Sequence, residues 1–148
     1  MTILAQNKKA SYDYFLEDSI EAGIVLKGSE VKAIRARTCS LVDTFVCYEG
    51  AHMVLRNAHI PTPKNAAIPH NPTRDRILLL SKKEIRRLIG RIQREGVTLI
   101  VTAIYSNKKW IKAKLCIARG KKKYDKRASL KEKEWKRDKQ RALAHNAR

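Results

Sequence analysis

The sequence predicts a mainly β fold, an OB-like Greek-key barrel with flanking helices, continued by a basic, conditionally helical C-terminal tail. Three observations carry this. Short apolar or alternating runs recur between turn signals through residues 12–118. A strongly amphipathic helical pattern interrupts them after Ser81. Beyond Tyr124 the only large apolar residues are Leu130, Trp135 and Leu143, too few to build a core. The expected division is a barrel over residues 1–120 and a tail over 121–148.

Residues 12–18 and 20–26 read as two strands of a hairpin, the second containing Gly23, where backbone can approach a partner closely. Gly28-Ser29 opens a short helical stretch with Val31 and Ile34 on one face and Lys32 and Arg35 near the other. Residues 45–48 and 53–57 flank Glu49-Gly50-Ala51-His52, a hairpin connection. The segment 61–76 contains Pro61, Pro63, Pro69 and Pro72 and lacks apolar periodicity. It reads as a surface loop with basic ends.

Residues 77–80 form a wholly apolar run, expected as a buried strand. Ser81-Lys82-Lys83-Glu84 then has the capping-box pattern. The helix that follows places Ile85, Leu88, Ile89 and Ile92 on one stripe, and Gly96 stops it. Residues 97–105 and 110–118 are two further strands joined at Ser106-Asn107-Lys108-Lys109. In the second, Ile111, Ala113 and Leu115 face one way while Lys112 and Lys114 face the other. Strands of this number in a chain of 148 residues suggest a small closed barrel. Periodicity alone leaves a split α+β sheet open.

Charge sets the class of partner. Lys and Arg number 33 against 14 Asp and Glu, a net charge of +19. Such a surface repels itself and suits a polyanion, nucleic acid first and an anionic membrane surface second. Residues 119–148 hold 13 basic and 4 acidic residues, a net of +9. Helix propensity there is good, but so thin an apolar stripe stabilises no isolated helix. The tail is therefore expected to be disordered from about 121 when free, with helix forming from about Ser129 on binding. A tail serving solubility alone has no use for Trp135.

Several chemistries lack their residues. No run approaches the ~20 apolar residues of a membrane helix, and residues 1–6 have no secretory pattern. Cys39, Cys47 and Cys116 form no C-x-x-C and read as reduced, packed thiols of a cytoplasmic protein. His52, His59, His70 and His145 add no zinc spacing, so neither metal nor cofactor is expected. Asp13, Glu17, Asp18 and Glu21 could suggest a two-metal nuclease, but no His or Lys motif accompanies them. The simpler reading is that they form the outer faces of a hairpin. Glu21 and Glu30 could accept hydrogen bonds from RNA donors, or pair with Lys32 or Arg35. A non-enzymatic RNA binder is the expectation, with a ribosomal or assembly protein as a second binding reading.

The residues also carry a family resemblance. Asn7-Lys8-Lys9-Ala10, Tyr14-Phe15, Glu21-Ala22-Gly23, Glu30-Val31-Lys32, Pro72-Thr73-Arg74, Arg94-Glu95-Gly96 and Gly120-Lys121-Lys122-Lys123-Tyr124-Asp125-Lys126-Arg127 follow one another in order. In this order they resemble the small protein B family, the tmRNA-binding proteins of bacterial trans-translation. The resemblance implies an OB-like barrel that grips the tRNA-like domain of tmRNA in place of an anticodon arm. It implies delivery to the A site of a stalled ribosome, with the tail lying in the vacant mRNA channel.

By the same resemblance, Asn7, Lys8, Tyr14, Glu21, Gly23 and Lys112 match the tmRNA-binding surface. Gly120, Lys121, Lys122, Tyr124, Asp125, Lys126 and Arg127 match the start of the tail beside the decoding centre, with Trp135 further along it. Alanyl-tRNA synthetase and elongation factor Tu are implied as indirect partners through charged tmRNA. Cys39, Phe45, Asn71, Tyr12 and Tyr124 depart from commoner family residues without removing a basic anchor.

Overall fold

A computed structural model of the chain describes residues 1–120 and 134–141. The first stretch runs β1 (Thr2–Gln6), α1 (Ala10–Asp13), β2 (Tyr14–Ile24), α2 (Gly28–Arg35), β3 (Phe45–Glu49), β4 (His52–Arg56), β5 (Arg76–Leu79), α3 (Lys82–Glu95), β6 (Thr98–Asn107) and β7 (Trp110–Gly120). Residues 134–141 are helical, with every side chain exposed. The expected disorder from 121 and the helix start near Ser129 lie outside the described residues.

The strands hydrogen-bond in the order β1-β6-β3-β4-β5-β2-β7, and β7 pairs back onto β6. Strands β2 to β7 therefore close into a ring, with β1 attached to the edge of β6. Strand β6 returns through α3 to lie beside β3, so the local order β6-β3-β4-β5 is a Greek key. This is the predicted OB-like barrel, with a sixth strand in the ring. Closure satisfies backbone groups that an open sheet would leave exposed.

The ring encloses Ile34, Met53, Leu55, Leu78, Leu99, Ile104 and Leu115, all essentially inaccessible to water. Helix α3 adds Leu88 to this core and packs Ile85, Ile89 and Ile92 against it, as the stripe predicts. Ser81 Oγ accepts from the Glu84 amide at 3.2 Å. Gly96 ends the helix with φ +64°, a conformation that glycine adopts without a Cβ clash. Gly50, at φ +61°, makes the tight connection between Glu49 and His52, which pair directly.

Two expectations need correction. Residues 14–24 form one strand and not a hairpin, and Tyr12 lies in α1. No glycine or proline stands between Asp18 and Ile20 to turn the chain; a shift in register between Leu16 and Ser19 absorbs the irregularity instead. The run 77–80 is only half-buried: Arg76 and Leu78 face inward while Ile77 and Leu79 face out. The segment 61–75 is the expected surface loop, exposed or half-buried apart from His70, and it is anchored to the barrel. His70 is buried, with Nε2 2.7 Å from the Ile60 carbonyl and Nδ1 2.6 Å from Ser29 Oγ.

The strongest tie is electrostatic. Glu30 pairs neither with Lys32 nor with Arg35. It accepts from Arg76 Nε at 2.6 Å, from Arg74, and from the Lys27 amide at 2.8 Å. Burial pushes the Glu30 carboxyl up, but these hydrogen bonds outweigh it and hold the group below its ordinary value.

The cysteines are free, with Cys116 buried and Cys39 and Cys47 half-buried. Cys116 belongs to a small second cluster with Ala10, Ile100 and Ala118, against which Tyr14 packs. Here α1 covers the outside of the barrel, so β7 is buried on both faces from Leu115 to Ala118.

Candidate nucleic-acid interface

The register of four neighbouring strands assembles an outward face. Opposed residues in antiparallel strands share a face, and so do residues two apart along a strand. Ile3, Tyr105, Lys112 and Gly23 lie opposite one another across β1, β6, β7 and β2, and Leu79 of β5 continues this row. The next row is Gln6, Ala103, Lys114 and Glu21. Between the rows Ala22, Ile104 and Ala113 turn inward and are fully buried, which fixes the two rows as the outer surface.

A groove of about 730 Å3 runs along this face and is lined by Asn7, Lys8, Glu21, Thr102, Tyr105 and Lys114, among others. Asn7 sits where the chain passes from β1 to α1. Its amide donates to Thr102 O at 2.8 Å and its Nδ2 to Leu41 O at 3.1 Å. Its Oδ1 is buried and receives no hydrogen bond among the described residues.

Glu21 stands directly across from Lys114, yet it forms no ion pair among the described residues; its Oε2 accepts the Tyr105 hydroxyl. Tyr105 is 7% exposed. Burial, with the adjacent Glu21 carboxylate, pushes its hydroxyl up to about 12. Gly23 leaves room where little is available: a Cβ built there would lie 3.1 Å from the Leu79 Cβ.

The structure thus brings Asn7, Lys8 and Glu21 to one groove, with Gly23 and Lys112 in the adjoining row. Tyr14 is elsewhere. It pairs with Gly120 at the far end of β2, nine residues and roughly 30 Å from Gly23 at ~3.3 Å per residue. It borders a second hollow of about 330 Å3, which also includes Asn7. Gly120 ends β7, and Trp135 lies on the 134–141 helix with Lys139 Nζ 5.2 Å from its ring centre. Lys121, Lys122, Tyr124, Asp125, Lys126 and Arg127 lie outside the described residues.

Two groove residues, Lys114 and Tyr105, are not among those the sequence indicates as site residues. Lys114 carried a signal, since alternation puts it beside Lys112. Tyr105 carried none, because it ends an apolar run and reads as core.

The acidic cluster has another role. Glu17 accepts from Arg119 at 2.5 Å and Arg91 at 2.6 Å, Glu95 accepts from the same two arginines, and Asp18 accepts from Arg87 at 3.0 Å. Arg119 and Arg91 hold the Glu17 carboxyl below its ordinary value. Three carboxylates and three guanidiniums neutralise each other here, tying β2, α3 and the end of β7 together.

A family model described as SmpB protein matches residues 4–145. The chain belongs to the SmpB family. An SsrA-binding protein of Rickettsia bellii (strain OSU 85-389) is 48% identical over 143 residues, 95% of each chain. That of Exiguobacterium sp. (strain ATCC BAA-1283 / AT1b) is 46% identical over 95% of this chain and 90% of its own. That of Wolbachia pipientis subsp. Culex pipiens (strain wPip) is 43% identical over 99% of both. Among solved structures, a chain from work described as "tmRNA-SmpB: a journey to the center of the bacterial ribosome" superposes with a TM-score of 0.69 at 38% identity. The match covers 83% of this chain and 87% of that one. No helix among the described residues of this SmpB-family chain is long and apolar enough to cross a membrane.

Proposed function

We propose that this chain binds tmRNA and acts in trans-translation on the ribosome. Family membership along nearly its whole length carries this reading, and the outward face of β1, β6, β7 and β2 supplies a surface suited to RNA. Lys8, Lys112 and Lys114 offer charge for phosphates. Glu21 offers an exposed acceptor for an RNA donor, a ribose hydroxyl or a base N–H. Residues 1–120 take the place of an anticodon arm on the tRNA-like domain. Residues 121–148 leave from Gly120 at the decoding centre, and the exposed basic helix of residues 134–141 lies in the mRNA channel where that channel is empty.

In this reading the chain does no chemistry and works in the cytoplasm. It meets alanyl-tRNA synthetase and elongation factor Tu only through charged tmRNA. Competition tests the proposal. At physiological salt the tRNA-like domain of tmRNA should displace a labelled copy of itself far more effectively than bulk tRNA does. Equal displacement by both would leave only a general RNA binder.

A further inference from the structure

The groove contains a carboxylate whose setting is unusual for a protein of net charge +19. Glu21 has Lys114 directly opposite and Lys112 in the next row, and it pairs with neither. Its Oε2 is instead held by a neutral donor, the Tyr105 hydroxyl, which reaches it from β6 across the intervening β7. That arrangement has two consequences. The lysines stay available for phosphate, and Oε1, with no partner among the described residues, keeps a fixed position.

We infer that Tyr105 is a positioning residue for RNA recognition: it anchors Glu21 so that the free carboxylate oxygen meets a hydrogen-bond donor of the bound RNA. A freely rotating glutamate would collapse onto Lys114, or would have to be ordered at the moment of binding, at a cost in affinity. Tyr105 is too enclosed to stack on a base itself. Its effect must therefore pass through Glu21. This rests on the proposal that the groove binds the tRNA-like domain.

A double-mutant cycle tests it, with the full-length protein and the isolated tRNA-like domain of tmRNA as probe. Tyr105→Phe keeps the ring and removes only the hydroxyl, and should weaken binding about tenfold, the scale of one hydrogen bond to a charged group. In a Glu21→Gln background the same change should cost less than about twofold. Glu21→Asp, on the exposed face and one methylene too short to reach the hydroxyl, should reproduce the Tyr105→Phe loss without touching the core. None of these changes should alter the salt dependence of binding, since none removes a phosphate contact.

Additive losses in the cycle would mean that Tyr105 touches RNA directly, and no loss from Tyr105→Phe together with none from Glu21→Asp would mean that the anchor is idle. Either result overturns the inference. If the wild-type protein itself fails to prefer the tRNA-like domain, it is the proposed function that falls.

Discussion

Arg76 Nε and Glu30 Oε2 meet at 2.6 Å with neither side chain exposed to solvent. Arg76 also donates to the carbonyls of Ala58 at 2.7 Å and Pro72 at 3.1 Å. The pair therefore joins the start of α2, the 57–75 connection and the first residue of β5. An ion pair removed from water contributes little net stability when intact, and losing one partner exposes the whole desolvation cost of the other.

Replacing Glu30 with Ala should accordingly destabilise the barrel by about 3–5 kcal/mol. Urea unfolding followed by far-ultraviolet circular dichroism would measure it. Glu30→Gln keeps the shape and part of the hydrogen bonding, and should fall between wild type and Glu30→Ala. A loss below about 1 kcal/mol for Glu30→Ala would place Arg76 in contact with water after all.

Acid should act through the same carboxylate. Because the Glu30 carboxyl lies lower in the folded chain than its reference value of 4.5, its contribution is complete above that value and is lost as pH falls through the folded one. Stability measured from pH 7 downward should therefore decline below about pH 4.5. Glu30→Gln should make the decline shallower. Glu17 and Glu95 are also held low by Arg91 and Arg119, but solvent reaches them and screens their share.

Lys112 and Lys114 should behave as phosphate contacts. Each lysine-to-alanine change should reduce the slope of log affinity against log salt by roughly one and leave the melting temperature nearly unchanged. Titrating labelled tRNA-like domain at several salt concentrations gives the slope. An unchanged slope for both would remove these lysines from the interface.

Cutting the chain after Gly120 should separate two activities. The pairing of β7 with β2 ends at Tyr14–Gly120, so the barrel loses no strand contact. Binding to the tRNA-like domain should persist while peptide tagging on stalled ribosomes disappears. Parallel loss of both would contradict the division at residue 120.

Local signals made much of this fold legible. Ser81, the stripe ending at Ile92 and Gly96 marked α3 because capping and amphipathicity act within a few residues. Lys112 and Lys114 marked the outer side of β7 for the same reason. What escaped depended on distant partners. Arg76 reads as the basic end of a loop until Glu30, 46 residues away, is seen to receive it. Nothing near Asp18 shows that β2 is continuous, because β7 straightens it from about a hundred positions downstream. Of the proposed RNA-binding residues, Glu21, Gly23 and Lys112 share the outward rows, and Asn7 and Lys8 border the groove beside them. Tyr14 stands apart, a distance that a linear sequence hides within one strand.

Ring closure also bears on how the molecule is made. Strand β7 lies between β2 and β6 and is the last strand of the barrel to be synthesised. Until residues 110–120 are free of the machinery producing them, β2 has one open edge and the core has a missing wall. Closing a pairing of such separation is slow compared with helix formation. A nascent copy interrupted upstream of Trp110 would hold neither Lys112 nor Lys114 and would have no finished groove. The groove thus becomes available only to a chain whose own translation has passed beyond the barrel.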